Sequence, residues 1–365
     1  MTISATIGVG GDYANIRMAL DAMFFGADPG DNFEFDIISS INEPPTYGPN
    51  FIKVWNRTIT IKCSNNELYK DDHTKWFEVI HTLGPATYNA QWANTYGFTL
   101  TFSYIKFLFL APGNINHIIQ GELQPGTPGT EIVNINVNKC IFGWSGTPAG
   151  IKTAISGGST GIKTTVTDCL FDRINYPFVA LGDYSNNFQH IERCTIYNAT
   201  IGVKLGTGAD WTKTIIRSVY SNAVTSGIDA ASLTNATILN SAVSDNSLNG
   251  FGVDCKVNID ASLQFQSTDF TSVNFLKLID GTRVGSTYTA GAPDLGKAGI
   301  VQTYADATDI EGNTRPGDDA AYSIGSYEQQ YAFGGYNVKM IQDKIVITHS
   351  RHNEFSIGLN FALDK

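Results

Sequence analysis

The sequence predicts an all-β fold, a solenoid of short parallel strands, on three observations. First, a block recurs: Val137-Asn-Lys-Cys140-Ile-Phe142, Val166-Thr-Asp-Cys169-Leu-Phe171 and Ile191-Glu-Arg-Cys194-Thr-Ile196 align, and Ile215-Ile-Arg-Ser218-Val-Tyr220 and Ile238-Leu-Asn-Ser241-Ala-Val243 continue the series. The small residues at 140, 169, 194, 218 and 241 are 29, 25, 24 and 23 positions apart, a period in the range of stacked-repeat architectures. Second, each block is β-branched and bounded by turn residues, with no 3.6-residue apolar period. Third, the 365 residues carry 36 glycines for corners, 42% apolar residues for a long core and only 16% charged residues.

One turn of such a coil needs three short strands and three corners, which fits about two dozen residues at ~3.3 Å per strand residue. Turns stack ~4.8 Å apart, so equivalent positions form ladders. The first, fourth and sixth positions of each block are therefore expected to point inward. Lys139, Asp168, Arg193, Arg217 and Asn240, each before the small residue, are expected at solvent-facing corners. Phe178 to Leu181 and Ile201 to Leu205 supply a further strand in each turn.

In chain order, residues 1–50 read as a cap. Ile3 to Val9 is a short strand, Gly10-Gly11-Asp12 a turn ending in an N-cap residue, and Ile16, Ala19, Leu20, Met23 and Phe24 line one face of a helix. A solenoid needs such a lid over its first apolar turn. Asn32 to Ile41, within the cap segment, and Thr58 to Cys63 read as the first strands of the solenoid, and the body of the coil is expected over 51–285. Between Ser64 and Gly97 the pattern loosens, which predicts a projecting loop whose Trp76, Tyr88, Trp92 and Tyr96 could contact a ligand or partner. Residues 286–328 read as a closing segment. Residues 329–365 read as a β-rich extension, with a hairpin of 337–341 and 344–348. Its last strand sets Phe355, Ile357, Leu359, Phe361 and Leu363 on one face, an apolar surface expected to be an assembly interface.

The blocks resemble the right-handed parallel β-helix proteins of the pectate-lyase-like superfamily. The stretch Thr6-Ile-Gly-Val-Gly-Gly-Asp-Tyr-Ala-Asn-Ile-Arg-Met-Ala-Leu20 is similar to the entrance sequence of that group. Asp309-Ile-Glu-Gly-Asn-Thr-Arg315-Pro and Tyr322-Ser-Ile-Gly-Ser-Tyr-Glu328 resemble the closing sequence of bacterial and phage β-helix domains, with Ser323 in place of an aspartate. The resemblance implies that Asp309, Arg315 and Glu328 fasten the last coil. It implies a fold and leaves the activity open, because one fold hosts many functions.

The Gly-His-Gly and Arg-Ile-Lys motifs of the hydrolases on this fold do not occur. The sequence assigns no catalytic residue. Candidates for acid–base chemistry are Asp168, Asp172 and Glu192, expected near one corner of consecutive coils, with Arg193 beside them. Two carboxylates roughly 6.5–9.5 Å apart would suit an inverting glycosidase. The same group with calcium and an arginine base would suit a lyase. No other cofactor or metal is expected. The five cysteines contain no CxxC pair and read as small buried hydrophobes.

A net charge of −10 argues against nucleic acid, and no apolar run reaches the ~18 residues of a membrane helix. The start of the chain lacks the basic and apolar regions of a secretory signal. With no intact active-site motif and a β-rich extension after the closing sequence, the chain resembles a non-enzymatic phage virion protein, and it is expected to be a capsid decoration or tail component made in the host cytoplasm. Expected partners are further copies of the chain, as a homotrimer, other virion proteins and a host glycan. A β-helix polysaccharide lyase or hydrolase and a bacterial surface adhesin are the alternatives.

Overall fold

The computed structural model describes residues 1–26, 31–43, 51–52, 58–82, 87–94, 99–110, 114–121, 133–144, 151–157, 162–180, 188–205, 214–229, 236–284, 287–296, 308–315, 323–333, 337–341, 344–349 and 353–358. Strands dominate them, and most lie in two parallel sheets. In the first sheet Thr2–Ile7, Asn32–Ile37, Thr58–Lys62, Thr99–Ser103, Val133–Asn138, Ile162–Thr167, Phe188–Glu192, Thr214–Arg217 and Ala236–Leu239 lie side by side in chain order.

The second sheet has two runs. One orders Ile41–Glu43, Glu78–Thr82, Lys106–Leu110, Ile141–Trp144 and Leu170–Asp172; the other orders Phe51–Ile52, Thr87–Asn94, Asn114–Gly121, Ile151–Gly157 and Tyr176–Ala180. Both end on the long strand Thr195–Leu205. From Asn32 to Leu205 the chain therefore visits three strand positions in the same sequence on each pass, the long strand Thr195–Leu205 taking two of them.

The register bears out the predicted ladders with one slip. Val137, Val166, Ile191, Ile216 and Ile238 stand opposite one another in the first sheet, and Phe142, Phe171 and Ile196 in the second. The next residues on that rung are Ser221 and Val243, so Tyr220 is not in the ladder where the sequence placed it. Three residues after Ile216 comes Val219, which takes the small position assigned to Ser218. The core rings stack: Phe142 and Phe171 lie 4.9 Å apart and 5° from parallel, and Phe107 lies 4.9 Å from Phe142. Cys140, Cys169 and Cys194 are fully buried beside them, each thiol donating to a backbone carbonyl.

The polar corner residues are not solvated as expected. Lys139, Asp168, Arg193 and Asn240 are all buried. Each has left-handed backbone, with φ between 46° and 54°, and Ser218, rather than Arg217, completes the row at 52°. This conformation costs an L-residue roughly 1–2 kcal/mol. It also aims each amide at the next pass: Lys139 to Thr167 O (3.0 Å), Asp168 to Glu192 O (3.2 Å), Arg193 to Arg217 O (3.0 Å) and Ser218 to Leu239 O (3.0 Å). A buried amide must find a partner, so the bend keeps the ladder continuous around the corner.

The corners are covered because the chain after Val257 returns across them. Ile259, Phe265, Phe275, Leu278, Leu295, Ile310, Ile324 and Tyr327 form a second apolar core with Ile141, Leu170, Tyr220 and Trp76. The Gly325 amide donates to Ser218 O (2.8 Å) and the Ser326 amide to Thr195 Oγ1 (3.0 Å).

At the other end, helix α1 (Ile16–Gly26) buries Ile16, Ala19 and Leu20 against the first core, as its spacing predicts; the side chains of Met23 and Phe24 lie outside the described set. Its cap is Asn15, whose Oδ1 accepts the Met18 amide (2.9 Å), whereas Asp12 instead binds Thr6. Glu43, 2% exposed, accepts the Ile16 and Arg17 amides at 3.0 and 2.9 Å, and burial lifts its pKa to about 7. The strand Thr2–Ile7 pairs with Asn32–Ile37, so the sheet begins inside the segment read as a cap. No helix among the described residues is long and apolar enough to cross a membrane.

Candidate functional site

The four candidate residues for chemistry divide between two places. Asp168, on its left-handed corner, is fully buried and receives Arg193 Nε and Nη2 at 2.9 and 2.8 Å. Arg315, 147 residues away, brings Nη2 to 3.4 Å from the same carboxylate. Burial pushes the Asp168 carboxyl up, while the Arg193 bond and the Arg315 charge pull it down. Glu192 faces Arg193 (3.0 Å), Arg217 (3.6 Å) and His190 (2.8 Å). Burial alone would raise its carboxyl, but His190 and the two arginines hold it below the usual range.

Arg315 continues the chain of charges into the closing segment. Its Nη1 is 3.3 Å from Glu328, and its Nη2 donates to Gly325 O at 3.1 Å. Glu328 also accepts from the Ser323 amide and hydroxyl, and its own amide donates to Asp309 (2.9 Å). Asp309, Arg315 and Glu328 thus fasten the closing segment, as the resemblance implied, but to the middle pass that carries Asp168. Asp168, Glu192 and Arg193 are consumed by this network.

Asp172 lies elsewhere. It ends the strand Leu170–Asp172, next to a second left-handed corner at Arg173 (φ 59°). It lines a cleft of about 610 Å³ with Thr74, Glu78, Lys106, Leu108, Arg173, Asn198 and the loop Thr268 to Thr271. Arg173 Nε donates to Asp172 Oδ2 (2.7 Å) and Lys106 pairs with Glu78 (2.8 Å). Asp172 is 3% exposed, and burial lifts its pKa to about 6 against the pull of Arg173. The floor is the Phe270 ring, with the Lys106 ammonium 5.3 Å and the Arg173 guanidinium 5.9 Å from its centre.

This floor depends on Gly143. It stands between Leu108 and Asp172 in register, and a Cβ there would meet Phe270 at 2.4 Å. The loop is held by Asp269, which accepts the Thr271 amide and hydroxyl at 2.9 Å each. Sequence reasoning missed Phe270, Lys106 and Glu78, which come from three distant segments. The one local signal was a glycine at a strand position.

Among the described residues, the aromatic stretch is not the expected loop. It forms helix α2 (Ser64–Leu68) and the strands Glu78–Thr82 and Thr87–Asn94. Trp76 is buried, with its indole N–H on Tyr69 O (2.8 Å), so it offers no contact surface. Tyr88 and Trp92 sit in the second strand opposite Ile115 and Ile119; their side chains, and all of Tyr96, lie outside the described residues.

In the extension, Asn337–Ile341, Lys344–His349 and Asn353–Gly358 form an antiparallel sheet. Phe355 and Ile357 are in its third strand; Leu359, Phe361 and Leu363 lie outside the described residues. Residues 331–333 pair with Gly281–Val284 instead, so the extension starts later than residue 329. Comparison with known protein families, curated proteins and solved structures yields no match.

Proposed function

We propose that the chain is a right-handed parallel β-helix serving as a non-enzymatic structural scaffold, a phage virion component of the capsid-decoration or tail kind. The observation that carries the non-enzymatic part is the fate of Asp168, Glu192 and Arg193. Acid–base groups must reach substrate, and these three are buried in ion pairs that tie the closing segment down. The virion part is supported by the resemblance of the closing sequence. Incubated with pectin, alginate and capsular polysaccharide, the purified protein is expected to release no oligosaccharide. Immunogold labelling should find it on purified virions; labelling confined to host lysate would refute the virion reading.

We also propose that residues 337–358 join copies of the chain, as a trimer. Cross-strand partners share a face of an antiparallel sheet. The register therefore sets Val338, Ile347 and Phe355 in one row and Met340, Ile345 and Ile357 in the next. These two rows are apolar in sequence, with the polar pair His349 and Asn353 at the end of the same face, and an apolar surface favours association. A chain ending at Phe333, or full-length Ile347→Lys, should sediment as a monomer with its β-rich spectrum retained. Unchanged sedimentation would place the interface elsewhere.

One observation favours a second reading, a glycoside hydrolase: Asp172, although only 3% exposed, lines a cleft that Asp168, Glu192 and Arg193 do not line, and has the raised pKa of a general acid. Reducing ends released from a neutral polysaccharide, and abolished by Asp172→Asn, would establish it.

A further inference from the structure

We infer that Asn249 is a site of spontaneous deamidation, and that its conversion to isoaspartate loosens the turn that carries Leu248 into the core. This is independent of the virion and hydrolase readings. Asparagine is a thermolabile residue, because the amide nitrogen of the residue after it can attack its side-chain carbonyl. That attack is slowed by a Cβ on the following residue and by any hydrogen bond that holds the following amide. Asn249-Gly250 is the one Asn-Gly pair in the 365 residues, so here the attacking residue has no Cβ.

The fold leaves this pair open. Both residues are exposed in the turn that follows the strand Ala242–Val243. Gly250 has φ +79°, and nothing lies within 4 Å of the place its Cβ would take. Among the described residues no group hydrogen-bonds the Gly250 amide or the Asn249 side chain. Asn246, in the same turn, is placed differently. The amide after it, on Ser247, donates to Asp245 Oδ1 at 3.3 Å, and serine brings a Cβ. Asn240, the other asparagine before a serine, is buried.

The reaction consumes only water. The Gly250 nitrogen bonds to Asn249 Cγ, and the Cγ–Nδ2 bond breaks. Ammonia leaves with the proton given up by the Gly250 amide. Water then opens the cyclic imide at one of its two carbonyls, with no oxidation or reduction. Opening at Cγ leaves an aspartate on the original main chain. Opening at the main-chain carbonyl leaves isoaspartate, whose main chain runs through Cβ and Cγ and is longer by one carbon. Either product adds one negative charge to a chain of net charge −10.

The added carbon matters because both flanks of the turn are pinned. Leu248 is buried in the first core, and Ser247 Oγ accepts the Ile228 amide at 3.2 Å. The Phe251 amide donates to Leu248 O at 3.0 Å and the Val253 amide to Ile238 O at 2.9 Å. Gly252 passes so close to Cys255 that a Cβ there would meet its Sγ at 2.7 Å. A longer main chain between Leu248 and Phe251 cannot keep both ends in place, so the Phe251 bond opens and the cover over Cys255 shifts.

The test keeps the full-length protein in mildly alkaline buffer and follows each asparagine by peptide mapping with electron-transfer fragmentation. Isoaspartyl methyltransferase counts the isoaspartate. Conversion at Asn249 should outrun that at Asn246 and Asn240 by about tenfold or more. Asn249→Gln, whose ring would need a further member, should abolish methyl acceptance at this turn. In the isoaspartate fraction, separated by ion exchange, exchange of the Phe251 amide and alkylation of Cys255 should both rise several-fold. Freshly purified Asn249→Asp adds the charge without the carbon and should leave both rates unchanged. An Asn249 that persists as the amide, or converts no faster than Asn246, would overturn the site. An isoaspartate fraction with the parent's Phe251 exchange and Cys255 alkylation would overturn the loosening.

Discussion

Arg315 is the most informative residue to remove. It is fully buried, and its guanidinium spans Asp168, Glu328 and the Gly325 carbonyl. Truncating one partner of a buried ion pair costs about 3–5 kcal/mol, because the remaining charge stays buried and uncompensated. Asp168 would keep Arg193 and Glu328 would keep Ser323, so we predict the lower half of that range for Arg315→Ala. If Arg315 holds the closing segment down, the loss should appear first as local opening of that segment. Native-state hydrogen exchange reads this directly at the Gly325 and Ser326 amides, which are bonded to Ser218 O and Thr195 Oγ1. At 1.4 kcal/mol per decade, their exchange should accelerate by roughly two to three orders of magnitude. The amides of Asp168 and Arg193, paired within the sheets' own corner ladder, should hold. Combining Arg315→Met with Glu328→Gln removes the stranded charge and should restore much of the protection. Unchanged exchange at Gly325 and Ser326, or a loss below about 1 kcal/mol, would show that apolar packing alone holds the segment.

Further expected outcomes concern the core, the cleft and the thiols. Phe171→Ala should cost about 3–5 kcal/mol in denaturant unfolding, since a cavity adds to the lost transfer energy. Phe171 is fully buried and stacked on Phe142, and a cost under about 1 kcal/mol would contradict that packing. Asp172, with a folded pKa of about 6 against an ordinary 3.8, holds its proton more tightly when folded. The favourable contribution is fully present below pH ~4 and is lost as pH rises through ~6, by on the order of 3 kcal/mol. Asp172→Asn should therefore gain stability relative to the parent between those limits, and a pH-independent difference would refute the shift. Among the cysteines, iodoacetamide should label native Cys255 alone, by mass spectrometry. Cys63, Cys140, Cys169 and Cys194 are buried, and burial pushes Cys63 to about 12; rapid labelling of any of the four would mean that the core opens.

What was legible in the sequence was whatever repeats. The apolar rungs at Val137, Val166 and Ile191 recur at near-constant spacing and stand opposite one another in the sheet. The pattern slipped at the fourth block, where Ile215 and Ile216 are both apolar. Two registers then fit, and a one-residue slip exchanges the faces of a strand. Hence Ser218 was read as inward, while its φ of 52° sets it on the corner and Val219 in the core. The corner charges were misread for a different reason. A polar residue at a bend is solvated unless another segment crosses it, and periodicity carries no information about a segment that does not repeat. Arg315 reaches Asp168 across 147 positions, and Phe270 finds Gly143 only because the chain returns over the sheet. A repeat specifies a surface, and the non-repeating segment decides which part of it is closed by Arg315 and which is left open as the cleft beside Asp172. The residues most worth mutating for function are therefore those of the returning segment, together with the repeat positions that receive it, Gly143, Asp172 and Asp168.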